Sequence, residues 1–322
     1  MDMKKNQDLI DENIAADEFE WVGQDKDAMN AISRESISFW KDSLRRLKQT
    51  KSALVFLTIL IIITLCAIFI PMFYPIEQSV QHYDCMNLGM FSSCNEGGFM
   101  HIFGTDSLGR DIFIRIWEGG RVSLTIAYSA IAIDCVVGVI YGGIAGYFGG
   151  MVDNVMMRIV EIVTGIPYIL VVILFMMVMS PGIGTLIIAY AITGWVSMAR
   201  LVRGQVIQLK EQEFVVASQT MGASTKRIIL KHLVPNLLSI IIIQLTLEIP
   251  SAIFTEAFLS FIGLGVPIPN SSWGTLANDG IQVFRNYPTQ LLIPAFFISI
   301  TMLSFNLLGD KLRDAFDPKL RR

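Results

Sequence analysis

Residues 205–236 read QVIQLKEQEFVVASQTMGASTKRIILKHLVPN, a polar stretch set between two of the most apolar segments of the chain. The uncharged run before it ends at Arg200, and LLSIIIIQLTL follows it. It carries six charged residues: Lys210, Glu211, Glu213, Lys226, Arg227 and Lys231. A connection of this length normally has structure and a task of its own. The spacing predicts a short helix over 213–221, with Phe214, Ala217 and Met221 on one face at i, i+3/i+4 intervals. Gly222 is placed to end that helix, because glycine tolerates the left-handed conformation of a C-cap. A second helix is expected from Ser224 to Val234, with Pro235 as the next boundary.

Outward from this stretch the chain turns apolar. Of its 322 residues 53% are apolar and only 16% charged, with a mean hydropathy of +0.55. That is the profile of a polytopic membrane protein rather than a soluble domain. A net charge of −3 spread over both sides points to no nucleic-acid partner. About 20 apolar residues cross a bilayer core of roughly 30 Å. On that rule the chain is an all-α membrane protein with six transmembrane helices, over 52–71, 121–147, 155–179, 183–203, 237–260 and 289–308. The uncharged run 162–199 is too long for one crossing, and Ser180-Pro181-Gly182-Ile183-Gly184 divides it. The first span is too deep in the chain and too long for a cleaved signal peptide. Between the spans lie loops over 72–120, 204–236 and 261–288, and the tails cover 1–51 and 309–322.

Orientation follows from Lys and Arg. With the N-terminus in the cytoplasm, only Arg110, Arg115, Arg121 and Arg285 of the 25 basic residues fall outside. Both tails and the 204–236 loop are then cytoplasmic. Residues 1–30 hold nine acidic residues against three Lys, a composition that favours a disordered tail. Over 36–51, Ile37, Trp40, Leu44 and Leu47 share one helical face opposite Lys41, Arg45, Arg46 and Lys48. Two readings stand for it: a helix lying in the membrane interface against lipid phosphates, or simple positive flanking charge.

The sequence is poor in catalytic chemistry. No Gly-Lys pair occurs, so there is no Walker A motif. His82, His101 and His232 are scattered and make no metal constellation, and no Ser/His/Asp arrangement follows from spacing. The chain is expected not to be an enzyme, and any ATP falls to a separate protein. Cys66 and Cys135 sit within spans as small apolar residues. Cys85 and Cys94 share the 72–120 loop with eight residues between them, a spacing that favours a local disulfide in an oxidising compartment. Charges inside spans are functional candidates by default. Asp134, Glu248 and Glu256 are therefore candidates along a translocation path; for Asp134 and Glu248 the alternative is pairing with donors that face the bundle, and for Glu256 it is reaching the interface. Pro167, Pro250 and Pro294 each remove one backbone hydrogen bond within a span.

The 205–236 stretch resembles the "EAA" loop of bacterial ABC-importer permeases, whose pattern is Glu-Ala-Ala, three residues, Gly, then Pro thirteen positions later. Ala217, Gly222, Ala223 and Pro235 match. Val216 stands where the family has Glu, Ser218 where it has the second Ala, and Glu213 lies three residues upstream of Val216. Phe103-Gly104-Thr105-Asp106-Ser107-Leu108-Gly109-Arg110-Asp111, followed by Gly120-Arg121-Val122-Ser123-Leu124, is similar to the "GTDxLGRD…GxRxSL" signature of peptide/nickel-type permeases. Gly149-Gly150, Asp153, Met157-Arg158, Glu161 and Pro167 resemble "GGxxDxxxMRxxD…P", with Glu161 for Asp. Glu256-Ala257, the run Leu259 to Gly265 and Ser272-Trp273-Gly274 resemble "EaxLSFLGLG…SWG". These motifs run in the family's order from the first span onward, and the long N-terminal region is most like the C-type subunit of oligopeptide or dipeptide importers.

The resemblance implies the ABC importer type I permease fold and a plasma-membrane protein that forms half of a peptide pathway. It implies a second homologous permease subunit, two ABC ATPase subunits and an extracellular peptide-binding protein as partners. No cofactor is expected on this chain; ATP and Mg belong to the ATPases. Glu213, Phe214, Ala217, Met221, Gly222, Ala223 and Pro235 would couple to them. Asp106, Arg110 and Asp111 read either as an ion-pair cluster in the outer mouth or as a fold-stabilising turn without ligand contact. A dipeptide or nickel permease, an ion-coupled secondary transporter working alone, and a membrane scaffold or receptor are the alternatives.

Overall fold

The computed structural model describes residues 39–94 and 100–316; the acidic tail expected over 1–30, Ile37 and residues 317–322 lie outside them. The chain divides into two units, Met1–Leu44 and Arg45–Arg322. In the first, the described residues 39–44 are helical, and Trp40 and Leu44 are exposed. They open helix α1 (Phe39–Gln49). The second unit consists of α2 (Lys51–Phe73), α3 (Ile112–Phe148), α4 (Gly150–Gly165), α5 (Tyr168–Met179), α6 (Ile183–Thr193), α7 (Trp195–Leu209), α8 (Glu213–Thr220), α9 (Thr225–Arg227), α10 (Val234–Phe261), α11 (Trp273–Val283) and α12 (Thr289–Phe316). The described strands β1 (Ser92–Ser93) and β2 (Met100–His101) form one antiparallel pair, with Ser92 opposite His101.

Among the described residues five helical runs are long and apolar enough to cross a membrane, and α4–α5 makes a sixth when counted as one span. Several expected boundaries are corrected. The helix expected over 121–147 starts at Ile112, because the Asp111 side chain accepts from the Ile114 N–H and caps it. The span expected over 155–179 is two helices bent by 78°. Pro167 has no N–H to give and disfavours helical geometry in the residue before it; Ile166 is accordingly extended at φ −89°, ψ 119°. The 204–236 loop is shorter than expected, since α7 runs on to Leu209 and the helix at 225 continues into the fifth span through to Phe261. A π turn over Ile228–Leu233 joins α9 to α10. The ring of Pro235 would crowd the carbonyl four residues back, and a wider turn relieves that clash without ending the rod. Pro235 is thus a joint within a helix, not a break. The loop expected over 261–288 contains α11, and the last span expected over 289–308 extends to Phe316.

Two of the four apolar clusters among the described residues hold the longest helices together. Met198, Val202, Val206, Leu233, Leu237 and Ile241 pack around α7 and α10, and Leu60, Ile63, Ile116, Ile253, Phe305 and Leu308 pack around α2, α3 and α12. In lipid, close packing rather than water exclusion drives such association. Gly138, Gly142 and Gly146 form a stripe on α3 where it meets α7. A Cβ at Gly138 would stand 2.6 Å from Met198 Cβ, and one at Gly146 2.8 Å from the Arg203 carbonyl. Only glycine lets the two backbones approach this far.

Cys85 and Cys94 are joined, with Cα atoms 5.7 Å apart, and both are buried. We expect both to resist alkylation in intact cells until a reductant is added, with Cys66 and Cys135 replaced to keep the readout clean. Rapid labelling without reductant would show the pair open.

Candidate functional site

Three sites emerge from this frame. The first is α8 and its flanks. Val215 and Ser218 turn inward, and Val215 joins the cluster of Val202, Ile228 and Leu233. That anchorage turns the opposite face outward: Glu213, Phe214 and Ala217 are exposed, and Met221 is 81% exposed. The helix ends at Thr220, one residue before the expected end, and Met221 is its C-cap. Gly222 follows at φ +78°, and the Ala223 N–H donates to the Ser218 carbonyl at 3.0 Å. This is the left-handed termination that glycine permits. Ser224 then caps the next helix by accepting from the Arg227 N–H. The expected residues are therefore brought together as one surface, with Pro235 set apart in the rod beneath.

The second site is the set of carboxylates inside the spans, and here the expectation for Glu256 is corrected. Glu256 lines no passage and reaches no interface: it is 3% exposed, and its two oxygens accept from Ser123 and Ser260, each at 2.7 Å. Ser260 also meets Ser272 at 3.1 Å, and Ser123 accepts from the Trp273 backbone N–H at 3.2 Å. Trp273 is fully buried and donates its indole N–H to the Ile116 carbonyl at 2.9 Å. Glu256 is thus the centre of a polar clasp tying α3, α10 and α11. Asp134, at 2% exposed, also faces protein rather than an open passage. Its carboxylate packs against Gly194 between α6 and α7, and one oxygen has no hydrogen-bond partner. Glu248 differs, being half-buried, with one oxygen accepting from Gln244 at 2.8 Å and the other unpartnered.

The third site stands at the opposite end of α3 from the Gly149 turn. Asp106 accepts from the backbone N–H groups of Leu108 and Arg110, both at 2.9 Å. Its other oxygen accepts from Arg110 Nε at 2.7 Å and from the Arg115 guanidinium at 2.5 Å. Arg115 reaches on to Asp279 of α11 at 3.1 Å. Asp111 takes no part in this; it caps α3 and pairs with His101 Nδ1 at 2.7 Å and the Tyr74 hydroxyl at 3.3 Å. Of the two sequence readings, the ion-pair cluster describes Asp106 and Arg110, and the fold-stabilising turn describes Asp111. Sequence reasoning missed Arg115, Asp279 and the serines of the clasp, whose partners are distant in the chain. It also missed the glycine stripe, which a search for glycines four apart in apolar sequence would have found.

The chain is similar to known proteins. Residues 138–322 match the family model of the binding-protein-dependent transport system inner membrane component, and residues 38–89 match the N-terminal TM domain of oligopeptide transport permease C. The oligopeptide transport system permease protein OppC of Bacillus subtilis is 49% identical over 97% of this chain and 100% of that protein. The dipeptide transport system permease protein DppC of the same organism is 49% identical over 96% of this chain and 95% of that protein. OppC of Escherichia coli K12 is 42% identical over 89% of this chain and 93% of that one. Among solved structures, the inward-facing MetNI methionine ABC transporter matches with a TM-score of 0.51 at 18% identity, covering 63% of this chain and 95% of that one. At that identity the likeness shows the fold alone, the type I ABC importer permease fold. With the family model covering more than half of it and near-full-length relatives at almost half identity, the chain belongs to the binding-protein-dependent transport system inner membrane components and is a multi-pass membrane permease.

Proposed function

We propose that this chain is the C-type permease subunit of an ATP-driven, binding-protein-dependent importer of oligopeptides. It forms half of the translocation pathway beside a second homologous permease, with two ABC ATPases on its cytoplasmic side and a peptide-binding protein outside. ATP and Mg stay on the ATPases. Both termini and the 210–224 segment face the cytoplasm of a plasma-membrane protein. The observation that carries the reading is the near-full-length identity to oligopeptide and dipeptide permeases, which also favours peptides over a nickel complex. The exposed face of α8 supports the ATPase contact: an apolar helix face docks in a groove, and Phe214, Ala217 and Met221 form such a face, with the Glu213 carboxylate beside it. Gly222, Ala223 and Pro235 set its angle to the rod of α10. ATP-driven closure of the ATPases pushes on α8 and switches the passage between outward-facing and inward-facing states. Glu248, half-buried where Asp134 and Glu256 are buried, is the in-span carboxylate best placed to meet that passage.

The reading is tested by reconstituting all subunits in vesicles. Peptide uptake is expected to require ATP and the binding protein, and to persist when ion gradients are collapsed. Uptake driven by a proton or sodium gradient alone would favour the secondary transporter. Reporters fused after Met90 and Asn278 are expected outside, and those after Gln212 and at the C-terminus inside. An internal reporter at Met90 would overturn the topology.

A further inference from the structure

A cavity of about 760 Å³ opens between α4 and α7, lined by Asn154, Met157, Arg158, Glu161, Arg200 and Arg203 among others. It lies toward the end of the bundle that carries α8, where Lys210 Nζ donates to the Gly146 carbonyl at 3.1 Å. Its charges are unequal in what they have left to give. The Arg203 guanidinium is spent on both oxygens of Asp153, and Arg158 pairs with Glu161 at 2.6 Å. Arg200 donates one N–H to the Thr164 hydroxyl at 2.9 Å and, among the described residues, meets no carboxylate. With Asp153 counted, three cations face two anions, and the surplus charge resides on Arg200.

Helix α4 shows which surroundings the cavity serves. Asn154, Arg158 and Glu161 follow one another at helical spacing and bound the cavity, while Val152, Val155, Ile159 and Ile162 are exposed on a different flank about a third of a turn away. In a membrane protein the apolar flank suits lipid or another apolar helix, and the polar flank suits water. The polar lining of the cavity thus suits an aqueous space rather than the bilayer. A free guanidinium in a polar recess is a carboxylate receptor, because its planar fork matches the two oxygens.

We propose that Arg200, held by Thr164, forms a carboxylate-binding site at the inner mouth of the permease, and that it receives the C-terminal carboxylate of the peptide in transit. The identity of the ligand rests on the peptide-import reading; the anion site itself does not. The same charge that receives the carboxylate must release it, and the neutralised Arg203 and Arg158 keep the site from holding the peptide too tightly.

The test uses the reconstituted full importer and one peptide in two forms, with a free C-terminal carboxylate and with a C-terminal amide. Each uptake is taken as a ratio to the wild-type importer with the same peptide, which removes any preference of the binding protein. Arg200→Gln is expected to lower uptake of the free acid by about tenfold, as loss of a charge-assisted hydrogen bond would, and to change uptake of the amide by less than about twofold. Arg200→Lys, which keeps the charge, is expected to restore most of the free-acid uptake. Equal losses for both forms, or no loss, would overturn the proposal. A second arm is independent of transport. In a chain with Cys66 and Cys135 replaced by Ala, Asn154→Cys is labelled with an anionic and a neutral thiol reagent. The anionic-to-neutral rate ratio is expected to fall severalfold when Arg200→Gln is added, and an unchanged ratio would show that Arg200 makes no anion site. Absence of any peptide uptake by the wild-type importer would sink the import reading, while the labelling arm would still decide the site.

Discussion

Met221→Asp is expected to abolish peptide-stimulated ATP hydrolysis coupled to uptake while leaving the chain folded and inserted. The side chain projects from the C-cap of α8 and is 81% exposed, so nothing inside this chain is disturbed by the change. If the exposed face fills a groove on an ATPase, Met221 and Phe214 are its large apolar anchors, and truncating such an anchor costs about 2 kcal/mol or more, roughly thirtyfold in affinity. A buried aspartate costs further, since its charge loses water without gaining a partner. Gly222→Val acts differently, through the backbone. At φ +78° a β-branched residue is strained by about 1 kcal/mol or more. That strain would re-aim α8 against α10 rather than remove a contact. Both variants should still allow capture of peptide from the binding protein. The measurement is ATPase co-purification, with uptake and hydrolysis in vesicles containing all subunits. Normal coupled transport in both variants would mean that α8 only connects two helices.

A larger loss of stability is expected at the other end of the chain's longest pair of spans. Asp106→Ala removes the shared acceptor of Arg110 and Arg115, both nearly fully buried. Among the described residues only Asp279 then remains near them, 3.1 Å from Arg115 and 3.6 Å from Arg110, with its side chain 48% exposed to solvent. Breaking one partner out of a buried ion pair leaves an uncompensated charge and costs about 3–5 kcal/mol. The same change frees the backbone N–H groups of Leu108 and Arg110 that Asp106 now satisfies. Asp279→Ala should cost no more than about 1 kcal/mol, because a half-exposed pair is screened by water. Thermal unfolding of the purified complex, and the amount of chain recovered from membranes, separate the two variants. An Asp106→Ala chain as stable as Asp279→Ala would show that the cluster contributes no stability.

The features legible from the residues alone rest on short-range physics. Apolar runs long enough for a bilayer named the spans, since a helix in lipid must satisfy its own backbone. Gly222 was legible as a terminator because a left-handed cap favours glycine whatever surrounds it. The outward face of α8 was legible in part: the spacing put Phe214, Ala217 and Met221 together, but Val215, which decides which way that face points, has its partners at Val202, Ile228 and Leu233.

Tertiary structure alone decided the rest, and the reason is the same in each case. Hydropathy scores a charge by its own cost of burial, whereas the fold scores it with its partners. Arg115 and Glu118 read as loop residues and so pushed the expected start of the second span to 121, yet Arg115 is helical and buried because Asp106 and Asp279 neutralise it. Glu256 read as a residue of the pathway, yet three serines and a tryptophan from three helices enclose it. Pro167 and Pro235 carry the same local restriction, but one bends a span by 78° and the other is absorbed by a π turn within a continuous rod. The residue before Pro167 is extended, whereas the wider turn over Ile228–Leu233 makes room for the ring of Pro235 and keeps the rod continuous.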